Sequence, residues 1–225
     1  MFHVEHRAGP GGRFLKTLVD GAAGLGVPLS QALADQCSVY FRELQVWNDK
    51  TNLTAITDER EIAVKHFLDS LVCNKALDHP EQARILDVGS GAGFPGLPLK
   101  LMHPELDMTL LEPSQKKTAF LRHVIGTLEL DRIVAIPKRI EEFSREPISR
   151  TGFTHIITRA VNVASLLGSF ISLLGQNGVV ILCRARALES EFPLDGLQIR
   201  REIAYTLPMG YGSRVLTILE RRSRS

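Results

Sequence analysis

The sequence predicts an α/β protein: an open, mostly parallel sheet of seven strands that ends in an antiparallel hairpin and follows an N-terminal helical extension. Three observations predict it. From residue 84 onward, short apolar runs alternate with helical patterns, as in a parallel sheet covered by helices on both faces. The stretch 85–99 passes from an apolar run through Asp87 into four glycines within eight positions, then returns to apolar residues, which reads as strand, tight turn and helix start. Ahead of it, residues 13 to about 77 show only helical spacing.

The elements follow in order. Residues 1–12 are polar and Gly/Pro-rich and are expected to fray. In the helical subdomain, 13–80, Phe14, Leu15 and Leu18 mark a first helix ended by Gly24 and Gly26, and Ser30 caps a second. Leu33, Cys37, Tyr40 or Phe41, Leu44 and Trp47 give that second helix one apolar face. After a polar turn at 48–54, Asp58 with Glu61 resembles a capping box that opens a helix through Ile62, Val64, Leu68 and Val72. The core, 81–225, is expected to hold strands at 84–88, 107–111, 133–136, 155–158 and 179–183, with helices at 95–102, 114–127, 140–143 and 163–174. Ser114 caps the second of these helices, and Pro113 keeps the chain before it extended. Residues 199–207 and 214–219, joined through Pro208, Gly210 and Gly212, read as the closing hairpin.

Composition narrows the class. With 44% hydrophobic and 23% charged residues the chain is that of an ordinary globular protein, and a net charge of +2 leaves any nucleic-acid partner to be argued from local clusters. Cys37, Cys73 and Cys183 are scattered without CxxC spacing, so neither a disulfide framework nor a metal site is expected. The N-terminus lacks an apolar signal-peptide core, and the longest apolar stretch, 163–174, is too short to span a bilayer. A cytoplasmic monomer is expected, with no membrane partner.

The glycine turn is a nucleotide-type site. Gly91-Ala92-Gly93-Phe94-Pro95-Gly96 satisfies G-x-G-x-x-G, and Glu112 stands 21 positions past Gly91, where a ribose-binding acid belongs. Two residues disfavour a dinucleotide: Asp87 would repel a pyrophosphate, and Pro95 lacks an amide donor for an anion. S-adenosylmethionine (SAM) fits better. It has no phosphate, it carries an ammonium and a sulfonium that Asp87 favours, and Glu112 accepts from its ribose hydroxyls. Glu141, after the third strand, is placed for the adenine edge.

The remaining chemistry narrows the acceptor. After the fourth strand stands Thr158-Arg159-Ala160-Val161, without the Asn/Asp-Pro-Pro-aromatic motif of exocyclic-amine methylation. Cys183 lacks the Pro-Cys or Thr-Cys context that a C5-pyrimidine nucleophile has, and reads as a buried structural thiol. Guanine N7 needs neither, because its lone pair is already free. Positioning then supplies the catalysis. His66 and His123 are available as bases, though a His at a helix end is more often a cap or packing residue. Lys116, Lys117, Arg122, Lys138, Arg139, Arg159, Arg184 and Arg186 fall near the strand ends or on the helix after Glu112, which suits phosphate contact.

These motifs together carry a resemblance. The segment 87–96, with Trp47-Asn48, Asn52-Leu53-Thr54, Lys65-His66-Phe67-Leu68-Asp69-Ser70 and Thr158-Arg159-Ala160, closely resembles the RsmG (GidB) family of bacterial 16S rRNA methyltransferases, over about residues 30–220. The resemblance implies a class I, Rossmann-like SAM-dependent methyltransferase fold. It implies N7 methylation of the 16S rRNA guanine conventionally numbered 527, with the rRNA or a small-subunit intermediate as partner. By position it places SAM contacts on Gly89, Phe94, Ile140, Glu141 and Arg159. Asp87, Gly91, Gly93 and Glu112 join them on the physical argument above. Arg159 is the expected catalytic residue, and Arg139, Arg159 and Arg184 the expected RNA contacts. The family's Lys-Gly after the fifth strand is Arg184-Ala185 here. Two other classes compete: an NAD(P)-dependent oxidoreductase on the same turn, and a non-catalytic RNA-binding module.

Overall fold

The computed structural model describes residues 11–147, 152–159, 162–189 and 191–222. Residues 1–10 of the stretch 1–12 expected to fray, and Ala160 of the 158–160 motif, lie outside these residues, while Gly11 and Gly12 are ordered as the start of the first helix. Helix α1 (Gly12–Leu25) ends on Gly26, whose left-handed backbone (φ 63°) lets its amide reach the carbonyls of Ala22 and Ala23. Helix α2 (Gln31–Thr51) starts on Ser30, whose Oγ accepts from the Leu33 amide at 3.1 Å. The start of α1 is capped from a distance: the Glu59 carboxylate accepts from the amides of Gly11 (3.2 Å) and Phe14 (3.0 Å).

Asp58 caps α3 (Glu59–Ile62) as expected, accepting from Arg60 and Glu61, while the Glu61 side chain pairs forward with Lys65 at 3.0 Å. The helix expected through Val72 is not uniform. It widens to a π-helix over Ala63–Leu68, returns to α4 (Asp69–Leu71) and tightens to a 3₁₀ turn at Val72–Ala76. Single π turns inside helices recur at functional sites, and this one carries Lys65 and His66.

Seven strands follow: β1 (Arg84–Val88), β2 (Asp107–Leu111), β3 (Ile133–Ile136), β4 (Phe153–Arg159), β5 (Leu174–Arg184), β6 (Leu197–Thr206) and β7 (Ser213–Arg221). Their order in the sheet is β3-β2-β1-β4-β5-β7-β6, with β7 antiparallel to both neighbours and the other pairings parallel. The connecting helices are α5 (Gly96–Met102), α6 (Gln115–Thr127, capped by Ser114 Oγ), α7 (Ile140–Phe143) and α8 (Leu167–Leu173). The expected helix 163–174 is shorter. It opens with a 3₁₀ turn at Ala164–Leu166, and Leu174 already pairs with Phe153 in the sheet. Strand order reverses between β1 and β4, so the connections leaving their paired carboxyl ends diverge there and leave a crevice. This seven-stranded sheet, with β7 alone antiparallel, is the arrangement expected from the sequence.

One buried cluster joins the helical extension to one face of the sheet, and a second packs beneath α7 and α8 on the other. Aromatic rings carry the first across the seam. Phe14 stacks on Phe41 (centroids 4.1 Å apart) and meets Phe67 edge-on (4.9 Å), and Tyr40 stacks on Phe94 of the glycine turn (5.2 Å). Tyr40 is fully buried, and its hydroxyl donates to the Ala92 carbonyl inside that turn. Among the described residues no helix is long and apolar enough to cross a membrane. Tyr40→Phe keeps the ring and strips a buried carbonyl of its donor, so chemical denaturation should show a loss of about 1–3 kcal/mol.

Candidate active site

The turn after β1 is built around Asp87. That side chain is fully buried, and its Oδ2 accepts the Gly96 amide at 2.9 Å, capping α5 from within. Gly96 is obligatory here: a Cβ would lie 2.6 Å from Asp87 Oδ2 and 2.6 Å from Leu110 Cδ2. Sequence spacing places Pro95 in the first helical turn, but it stands just before the helix, and the first amide that an anion would seek is already bonded to Asp87. Gly93 is equally constrained, with φ 100° and only 2.6 Å between a would-be Cβ and the Tyr40 hydroxyl.

Glu112, at the end of β2, closes the turn from the other side. Its Oε2 accepts the Gly91 amide and its Oε1 the Ser114 amide, both at 2.9 Å. A cavity opens over the turn, walled by Gly89, Ser90, Gly91 and Ala92 below and by Leu53, Thr54, His66, Phe94 and Arg159. Leu53, Thr54 and His66 come from the helical extension, so the crevice of the sheet has a second, helical wall.

Arg159 ends β4 at the point where the strand order reverses. Its NH1 donates to the Lys65 carbonyl (3.0 Å) in the π turn and lies 3.5 Å from Asp69 Oδ2. Its NH2 approaches His66 Nδ1 at 3.5 Å, and the guanidinium lies over the Phe94 ring, 5.6 Å from its centroid. His66 stacks on Phe94 (4.7 Å, 19° between planes), with Nε2 3.0 Å from Thr54 Oγ1. Burial and then the Arg159 charge push the His66 imidazole down to about 3. It is therefore neutral at physiological pH. With Nδ1 facing a donor-only guanidinium, the Nε2–H tautomer fits, donating to Thr54.

The other residues marked in the sequence divide into two groups. Ile140 is buried at the start of α7 after β3, with Glu141 exposed beside it and Arg139 exposed just before. Arg184 ends β5 but turns along the rim, with Nε donating to the Arg186 carbonyl and its guanidinium over Phe192. Arg122 is engaged by the Ala135 carbonyl, Lys138 by Glu146, and His123 by Glu43. Cys183 is a buried free thiol, 3.4 Å from Cys73. Sequence reasoning did not single out Tyr40, Tyr205 or the Lys65 carbonyl. Their partners lie 52, 136 and 94 positions away, so no local pattern announces them.

The residues suit a SAM-type ligand. The turn offers bare backbone and no cation. Asp87 Oδ1 is the one fully buried side-chain oxygen left without a hydrogen-bond partner among the described residues, and Glu112 keeps lone pairs beyond its two amides. A family model described as GidB, rRNA small subunit methyltransferase G, matches residues 33–202. The chain belongs to the rRNA small subunit methyltransferase G family. Relatives of that name extend the match. The one from Roseiflexus castenholzii is 42% identical over 76% of this chain and 73% of its own. The one from Oceanobacillus iheyensis is 32% identical over 89% and 87%, and the one from Lactococcus lactis subsp. cremoris 34% over 94% and 91%. Among solved structures, MtNAS in complex with MTA and tNA superposes with a TM-score of 0.57 at 13% identity, covering 93% of this chain and 71% of that one. TrmN from Thermus thermophilus gives 0.53 at 16%, covering 71% and 53%. At these identities the likeness is one of fold.

The buried carboxylate leaves a pH signature. Burial raises the Asp87 carboxyl from 3.8 to about 7, opposed by the Gly96 amide. Folding therefore takes up a proton between those values, and the contribution of Asp87 to stability falls as pH rises toward 7. His66 acts in the opposite sense, with stability lost as pH falls below 6.5, but it is common to wild type and variant. The melting temperature of Asp87→Asn relative to wild type should thus be more favourable at pH 8 than at pH 5. A difference that does not change with pH would show that the carboxylate is not buried at this cost.

Proposed function

We propose that this protein transfers the methyl group of SAM to N7 of a guanine in 16S rRNA, the one conventionally numbered 527, acting as a cytoplasmic monomer on the rRNA or on a small-subunit intermediate. The observation that carries the reading is the placement of Arg159. It stands at the switch point of a class I methyltransferase sheet, in one cavity with the glycine turn, in a chain of the rRNA small subunit methyltransferase G family.

The bound cofactor supplies an electrophilic methyl group on a sulfonium. Gly89 and Gly91, which line the cavity, would let its methionine part lie against bare backbone, whereas Gly93 shapes the turn by facing Tyr40 and Leu97. The buried Asp87 would favour its positive charge from beneath the turn, directly or through a water. The free lone pairs of Glu112 would accept from the ribose hydroxyls, and Ile140 and Glu141 would hold the adenine. No base is required, because guanine N7 carries no proton. His66, held neutral, does not serve as one and keeps a second positive charge away from a reaction that moves one from sulfur to purine. What remains is alignment. The guanidinium donors of Arg159 that do not face Lys65, Asp69 or His66 hold the acceptor guanine, with Arg139 and Arg184 on the rim for phosphate contact. The helical subdomain, 13–80, supplies the wall opposite the core, 81–225.

Two variants test the roles. Glu112→Ala should weaken SAM binding by tenfold or more in calorimetry, and affinity within twofold of wild type would refute the ribose role. Arg159→Ala should lower methyl transfer on the order of a hundredfold, while unchanged turnover would remove Arg159 from the site. Mass mapping of 16S rRNA tests the whole reading: a strain lacking the protein should lose N7-methylguanine at that one position and regain it on complementation. Methylation that survives the deletion would overturn the assignment of the base, and full rescue by a Glu112→Ala protein that no longer binds SAM would favour a binding module over an enzyme.

A further inference from the structure

Asp69 gathers partners from three distant elements. Its side chain is 8% exposed, at the end of the π turn. Oδ2 faces Arg159 NH1 at 3.5 Å. Oδ1 accepts the Tyr205 hydroxyl at 2.7 Å and has Arg214 Nε at 3.9 Å. Tyr205 on β6 and Arg214 on β7 are cross-strand partners, so the closing hairpin presents them to Asp69 as a pair. Both oxygens of this buried carboxylate face partners, and its orientation is set by whichever of them is itself rigid. The Tyr205 ring packs against the core from the edge strand β6, whereas Arg159, whose NH1 donates to the Lys65 carbonyl at 3.0 Å, reaches Asp69 on a long side chain at a distance slack for a hydrogen bond. Order therefore passes from the hairpin to Asp69 and from Asp69 to Arg159.

We propose that Tyr205 is a positioning residue for methyl transfer: its hydroxyl fixes the Asp69 carboxylate, which aims the Arg159 guanidinium at the acceptor base. This rests on the reading of Arg159 given above. Burial, reinforced by the Asp69 carboxylate, pushes the Tyr205 phenol up, so the hydroxyl remains a donor across the working pH range. The hairpin thus belongs to the acceptor side of the site, although neither Tyr205 nor Arg214 lines the cavity.

The experiment is a double-mutant cycle read in single-turnover methyl transfer, with full-length enzyme in excess over the 16S rRNA substrate. Tyr205→Phe, which keeps the ring, should lower the transfer rate roughly tenfold. SAM affinity and RNA affinity should stay within about twofold, because neither ligand gains or loses a direct contact. Asp69→Asn should give a similar or larger loss, and adding Tyr205→Phe to Asp69→Asn or to Arg159→Ala should change the rate less than twofold further, since the three act in series. A Tyr205→Phe enzyme as fast as wild type would overturn the proposal. So would losses that multiply in either double variant, or a loss in Tyr205→Phe that follows its unfolded fraction measured at the assay temperature. If wild type itself transfers no methyl to 16S rRNA, the proposed function fails instead, and the cycle has no rate to read.

Discussion

The bond between Asp87 and the Gly96 amide shapes everything around it. A carboxylate at the end of a central strand folds back inside the turn and satisfies the first amide of the next helix. That single contact draws α5 against β1 and β2 so closely that Gly96 has no room for a Cβ. It also neutralises the feature that lets similar turns hold phosphate, a free helix N-terminus. The turn so built suits a positively charged, phosphate-free ligand better than a pyrophosphate. Keeping that carboxylate charged in the interior, with Oδ1 unpartnered, is unfavourable, which is why its pKa is pushed up to about 7.

The helical extension completes the site rather than decorating it. Tyr40 bonds into the glycine turn, Thr54 and His66 wall the cavity, and the Lys65 carbonyl in the π turn takes Arg159. The extension shares its apolar cluster with the sheet, so cofactor side and acceptor side are packed as one body. Methyl transfer to guanine N7, as proposed above, would need that rigidity more than it needs an acid or a base.

Much of this was legible in the sequence, and the boundary between what was and was not is physical. Parallel strands buried on both faces read as apolar runs, so β1 and β2 fall where Ile85-Leu86 and Met108–Leu111 place them, and the edge strand β3 is apolar at Ile133–Ile136 although Val134 is exposed. The glycine turn and Ser30, Ser114 and Asp58 as caps are local features, and local spacing reports them. Interactions between distant residues were not legible. Glu59 capping α1, Tyr40 on Ala92 and Tyr205 on Asp69 depend on the finished fold. The π widening at Ala63–Leu68 left no trace in the apolar periodicity. Arg184 illustrates the same limit: its place at a strand end was evident, its turn toward Phe192 was not.

The central claim is that the Asp87–Gly96 bond makes this turn a SAM site and not a dinucleotide site. Isothermal calorimetry on the wild-type protein tests it directly, titrating S-adenosylhomocysteine and NAD in turn and then each against the other. The account predicts saturable binding of S-adenosylhomocysteine that NAD does not displace, and no heat from NAD alone. Saturable NAD binding in the absence of any S-adenosylhomocysteine binding would contradict it.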